Sequence, residues 1–279
     1  MPEKRHFSSG FESQQSCDME VNVRIILSPA KKMNVDSDTL SYKGLPVYLE
    51  QTEEIAAWLK EKNFEELKQL WKCNEKIAGQ NMERLKNMDL YRNLTPAVLS
   101  YEGIAYQYMA PAVFEDRQLS YVQEHLRILS AFYGVLKPMD GVTPYRLEMQ
   151  AKASIGSAKD LYELWGRMLY EQVRDESGII INLASKEYSK CVEKYLSDAD
   201  TYITCVFGEK VQGKFVTKGT YAKMARGEMV RFMAERNVET PEGMKEFRRL
   251  GYVFREEMSG ETEYVFERAE GRRGYGGGA

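Results

Sequence analysis

The apolar positions of this chain follow two different rhythms. Val21 to Leu27 and Gly178 to Ala184 are short continuous runs rich in β-branched residues, the pattern of strands buried on both faces. Elsewhere the spacing is helical. Ile55, Ala56 and Leu59 mark a helix over 49–62, and Ile77, Ala78, Met82 and Leu85 mark another over 75–88. Between them lies a helix over 64–72, opened by Asn63 and Glu66 at capping-box spacing. The segment from Ser120 to Lys152 organises the rest. Ser120 and Gln123 stand as N-cap and N3, and Val122, Leu126, Leu129, Tyr133 and Leu136 recur at helical spacing. This predicts one helix ending between Gly134 and Pro138, followed by a proline-punctuated loop carrying Arg146 and Glu148.

Shorter signals complete the pattern. Thr95-Pro96 opens a short helix, and Leu161 to Trp165 continues through Met168 and Leu169 as one amphipathic helix. Ser185 and Tyr188 open another helix directly after the second buried strand. Tyr202–Phe207 and Lys214–Thr217 predict a hairpin, and Gly251–Phe254 with Glu263–Phe266 a second one. The helix from Thr220 to Glu235 has an apolar face of Ala222, Ala225, Met229, Phe232 and Met233. Lys223, Arg226 and Gly227 share another face, with Arg231 beside them. Glycine in a helix interior costs about 1 kcal/mol against alanine, so its presence here predicts the close approach of another surface.

Together these elements predict an α/β fold, a mixed sheet surrounded by helices. Two apolar strands each run into a small-residue turn, Ser28-Pro-Ala-Lys-Lys32 and Ala184-Ser185. In α/β folds such turns gather at one edge of the sheet and hold the site. Residues 1–20 are polar and predict a disordered leader; residues 21–268 carry the folded domain, and the Arg/Gly-rich 269–279 reads as a disordered tail. No apolar run approaches the ~20 residues that span a bilayer, and no secretory pattern opens the chain, which predicts a cytoplasmic protein with no membrane partner.

Chemistry narrows the choices further. The 279 residues include two histidines and four cysteines, Cys17, Cys73, Cys191 and Cys205, with no CxxC pair. Neither a disulfide framework nor a multi-histidine metal centre follows, so no metal and no cofactor is expected. The net charge of −3 excludes a globally basic nucleic-acid binder and leaves local cation clusters as the route to an anion site. Candidates for binding a phosphate or nucleic acid are Ser28, Lys31, Lys32, Tyr106, Tyr133, Arg146, Asn182, Lys223, Arg226 and Arg231. Glu102, Glu148 and Ser185 are candidates for catalysis, because plain phosphate binding has no need of carboxylates. The competing reading makes those carboxylates braces for Arg146 and its neighbours.

Several segments carry a resemblance to a known family. They are Leu27-Ser-Pro-Ala-Lys31, His125 to Pro138, Thr143-Pro-Tyr-Arg-Leu-Glu-Met149, Asp160 to Gly166, Ile181 to Tyr188, and Tyr221 to Gly227. In this order they resemble the YaaA family (UPF0246, DUF328) of bacterial peroxide-stress proteins. The resemblance implies a single α/β domain with a family-specific fold, an open basic cleft and a helix-hairpin-helix-like element. The residues around Lys72-Cys-Asn-Glu-Lys76 would supply that element, though they lack its usual glycines. It also implies DNA as partner, duplex or distorted, and a role in limiting iron-dependent oxidative damage. The alternative is an enzyme acting on a nucleotide or another small phosphorylated ligand in the same cleft. Lys32, where the family's turn commonly has threonine, adds a charge.

Overall fold

The computed structural model describes residues 22–36 and 38–269, so the leader and nearly all of the tail lie outside the described residues. Eight strands form one sheet: β1 (Val23–Leu27), β2 (Leu126–Ser130), β3 (Gly134–Leu136), β4 (Ile179–Asn182), β5 (Thr201–Val211), β6 (Lys214–Val216), β7 (Tyr252–Phe254) and β8 (Glu263–Arg268). Their order across the sheet is β7-β8-β5-β4-β1-β2-β3, with β6 hairpinned onto β5. The β1 strand lies between β2 and β4, parallel to both, and β4, β5 and β8 continue the parallel pairing. Only β3, β6 and β7 add antiparallel partners. The centre of the sheet is therefore parallel and needs cover on both faces, which explains the uninterrupted apolar runs of β1 and β4.

The segment that organises the chain is only half helix. Its helix is Asp116–His125, opened by a Glu115/Gln118 capping box. Leu126 then leaves the helix and starts β2, all five residues of which are buried. The apolar spacing fits a 3.6-residue period, but main-chain pairing with β1 and burial on both faces decide for strand. Ser130 Oγ accepts from the amides of Phe132 and Tyr133 in the turn to β3. A second correction concerns Leu161 to Leu169, which breaks into two helices, Leu161–Trp165 and Met168–Val173, at left-handed Gly166. Likewise Thr95 and Pro96 pair with Gly141 and Val142, and only a four-residue helix follows them. The helices Leu49–Lys60, Phe64–Trp71 and Glu75–Lys86 match their predicted spans closely. So does Gly219–Arg236, which packs on β5 and on the helices Ile104–Met109 and Asp116–His125.

Aromatic residues divide the core into two clusters. Phe132, Tyr133 and Tyr145 meet near the β2–β3 turn, where Trp165 Nε1 donates to the Ala131 carbonyl at 3.0 Å. Phe207, Phe232, Phe247 and Phe266 meet at the other end of the sheet. Among the described residues no helix is long and apolar enough to cross a membrane.

A buried carboxylate pins the turn into β5. Asp200, with no exposed side-chain surface, accepts from Arg174 Nε at 2.7 Å, Tyr170 Oη at 2.7 Å and Ser197 N at 2.8 Å. Burial alone would raise its pKa, but these donors outweigh it and hold it at about 2. A carboxylate whose folded pKa lies below its unfolded value near 3.8 adds stability above that value and loses it as pH falls toward 2. Asp200→Asn is expected to cost about 2 kcal/mol at neutral pH. Urea unfolding should then show a flatter loss of stability on acidification than in the unsubstituted protein. An unchanged acid limb would contradict this role.

Candidate functional site

The cleft begins where β1 and β4 end. Because Ile26 pairs in parallel with Asn182, the turns after both strands leave the sheet side by side. They are stitched together: Ser28 Oγ accepts from the Ser185 amide at 2.8 Å and lies 3.1 Å from Ser185 Oγ. Ser185 then caps the Lys186–Glu193 helix by position, yet its hydroxyl makes no capping hydrogen bond and stays with Ser28. Tyr106 Oη donates to the Ser28 carbonyl at 3.0 Å and fixes a third segment against the first.

That third segment, Glu102 to Tyr106, is clamped from both sides by glycine. A Cβ on Gly103 would stand 2.8 Å from Ala30 Cβ, and one on Gly227 only 1.8 Å from the Ala105 carbonyl oxygen. Gly227 is therefore the price of seating the Gly219–Arg236 helix on the Ile104–Met109 helix, the close approach its sequence position predicted. The contact brings Lys223 and Arg226 to the wall of a cavity of about 380 Å³. The same cavity is lined by Ser28, Lys31, Lys32, Glu102, Tyr106, Arg146, Glu148 and Ser185.

Its cations are in two states. Lys31 and Arg146 share Glu148, at 2.8 and 3.3 Å, and Lys32 pairs with Glu102 at 2.6 Å. Arg146 also reaches the carbonyls of Trp71 and Lys31 at 3.5 Å. Among the described residues Arg226 makes no ion pair with a carboxylate. Its Nε is buried without a hydrogen-bond partner, and burial lowers its pKa. The nearby Cys205 thiol offers no counter-charge, since burial pushes it up to about 12. Lys223 is exposed and makes no ion pair among the described residues. A desolvated cation facing a cavity without a counter-ion favours an incoming anion.

Three candidates stand elsewhere. Tyr133 is 1% exposed and exchanges hydrogen bonds with the main chain of Thr143. Asn182 is buried, accepting from the Ala184 amide and donating to Thr204 Oγ1, so it shapes the turn and does not line the cleft. Arg231 pairs with Glu235 at 2.8 Å on a different face of its helix. The cleft also contains residues that sequence reasoning passed over, Tyr145, Glu187 and Tyr188. Burial pushes the Tyr145 phenol up to about 12 and that of Tyr188 well above its usual value, so both stay protonated. Their signal was adjacency to Arg146 and Ser185. Among the described residues no group of three or more His, Cys, Asp or Glu could hold a metal ion.

The chain matches the family described as peroxide stress protein YaaA over residues 23–258. It belongs to that family. The UPF0246 protein of Agathobacter rectalis is 68% identical over 246 residues, 88% of this chain and 99% of that protein. The UPF0246 protein of Lachnoclostridium phytofermentans is 54% identical over 248 residues, 89% of this chain and 97% of its own length. That of Pediococcus pentosaceus is 49% identical over 248 residues, 89% of this chain and 99% of the relative. The matched region contains every residue of the cleft.

An alanine in a helix interior ordinarily gains about 1 kcal/mol over glycine. Gly227→Ala is expected to do the opposite and cost about 1–3 kcal/mol through overpacking against Ala105. The urea midpoint reads this directly, and a more stable variant would disprove the contact.

Proposed function

We propose that this peroxide-stress protein binds a nucleotide phosphate in the cleft and that the bearer is DNA, duplex or distorted. The observation that carries the reading is Arg226, a half-buried arginine at the cavity wall whose buried Nε has no hydrogen-bond partner and which makes no ion pair among the described residues. Phosphate would be its missing counter-ion, with Lys223 beside it and the Ser28 and Ser185 hydroxyls across the cleft. Sequence-independent binding of this kind suits protection, because damage occurs anywhere along the duplex.

DNA is favoured as the bearer by what lies beyond the cavity. The Phe64–Trp71 and Glu75–Lys86 helices form a hairpin whose Trp71 carbonyl touches Arg146. Lys72, left-handed at φ 45°, ends the first helix, and Asn74 caps the second by accepting from the Ile77 amide. Lys72 in the turn and Lys76 in the first turn of the second helix are exposed, and a DNA backbone continuing past Arg146 could meet them. Limiting iron-dependent damage would follow from shielding the bound strand.

A second reading, an enzyme acting on a free nucleotide or another small phosphorylated molecule, is favoured by Glu102 and Glu148. They sit in the cavity, where carboxylates repel phosphate. The volume is also in the range of small-molecule sites. Their ion pairs with Lys31, Lys32 and Arg146 give them a bracing role in the first reading.

Fluorescence-anisotropy titration with duplex, bubble and single-stranded DNA at several salt concentrations, with free mononucleotides as competitors, separates these readings. DNA binding is expected to weaken about tenfold or more with Arg226→Ala, with a salt slope smaller by about 1. Glu148→Gln is expected to tighten it a few-fold by freeing Lys31 and Arg146. Saturable, salt-tolerant nucleotide binding without DNA binding would move the conclusion to the small-molecule enzyme. Arg226→Ala leaving both affinities unchanged would overturn the phosphate anchor.

A further inference from the structure

A second polar cavity, of about 340 Å³, lies at the β3 edge of the sheet and shares no lining residue with the cleft. Arg127, the second residue of β2, contributes to its wall and is 5% exposed. Its Nη1 donates to the carbonyls of Gln123, Glu124 and Leu126, at 3.3, 2.9 and 2.8 Å. Its Nε is buried with no partner, and among the described residues it makes no ion pair. The guanidinium is thus anchored at the C-terminal end of the Asp116–His125 helix, with one edge of its fork unused.

The rest of the cavity is built around that charge. Asp140, 7% exposed, accepts from the Lys137 amide at 2.8 Å through Oδ2, while Oδ1 has no hydrogen bond among the described residues. Gln123 Oε1 accepts from the Met139 amide at 2.9 Å, which leaves its side-chain NH2 group to donate. Lys43 and Lys137, both exposed, complete the polar wall. Three cations therefore stand around one carboxylate, and burial pushes that carboxylate up to about 6. Asp140 is ionised at neutral pH but makes no ion pair with Arg127 among the described residues, so the three cations remain in excess, and a buried arginine without a paired carboxylate is costly. Leu45 and Val47, 42% and 54% exposed, add an apolar wall that a free inorganic ion would not use.

We propose that this cavity is a second binding site, for a small organic oxyanion, a phosphate ester or a carboxylate, held by Arg127 with Lys43 and Lys137 at its wall. The anionic group takes the free edge of the guanidinium, and Gln123 supplies a neutral donor. The carbon body lies along Leu45 and Val47. This site is independent of the cleft and of the function proposed for it.

The test uses the Arg226→Ala protein, which lacks the guanidinium proposed as the cleft's anchor, and the substitutions in the second cavity assign any binding that remains. Isothermal titration with inorganic phosphate in one arm and succinate in the other shows which group the site takes. Saturable binding of at least one probe is expected. Lys137→Glu, an exposed substitution whose unchanged urea midpoint certifies the fold, should weaken that binding about tenfold. Asp140→Asn keeps an acceptor for the Lys137 amide and removes the opposing charge, so it should tighten binding several-fold. Absence of saturable binding in both arms overturns the proposal, as does an affinity that neither substitution changes.

Discussion

The β1 strand pairs in parallel on both sides, with β2 and with β4, and cannot meet water on either edge. Everything at the site depends on this pairing. It aligns the end of β1 with the end of β4, so that Ser28 and Ser185 come within hydrogen-bond reach although 157 positions separate them in sequence. It also draws Leu126 to Ser130 out of a helix and into the sheet. The parallel strands set the two turns, and the turns set the floor of the cleft.

The walls depend on packing without side chains. Where the Gly219–Arg236 helix meets the Ala105 carbonyl there is no space for a methyl group. This closeness takes Lys223 and Arg226 to within one cavity of Lys31, Arg146 and their carboxylates. Electrostatics then sorts the cations. Those on the outer turns are paired with Glu102 and Glu148, while Arg226, with its Nε desolvated, has no ion pair among the described residues. A cation left in this state is what the proposed anion binding rests on, and a net charge of −3 does not oppose it, because local charge governs the cleft.

Much of this was legible in the chain, for identifiable reasons. Continuous apolar runs bounded by small residues gave β1 and β4, and the Asn63–Glu66 box fixed the start of the Phe64–Trp71 helix. Gly227 gave notice of a close contact because glycine is unfavourable in a helix interior. The error over Leu126 to Leu136 has an equally physical origin. A helix followed by a fully buried strand can mimic one long helix, since burial on both faces erases the strand's alternation. Tyr133, Asn182 and Arg231 were chosen by residue type and by place beside a turn or basic face. Their contacts, a main-chain brace, a turn brace and an ion pair on another face, are made with partners that spacing does not reveal. No periodicity could show that Glu148 takes both Lys31 and Arg146, or that Arg226 makes no ion pair among the described residues.

The proposed binding turns on Arg226 as the anion anchor of the cleft. The direct measurement is the side-chain Nε–H resonance of Arg226 in a nitrogen-15 spectrum, assigned by its loss in Arg226→Lys, during titration with a short duplex. A saturable shift of that resonance is expected, in step with the amides of Ser28 and Ser185. A resonance that stays still while the duplex binds elsewhere would contradict it.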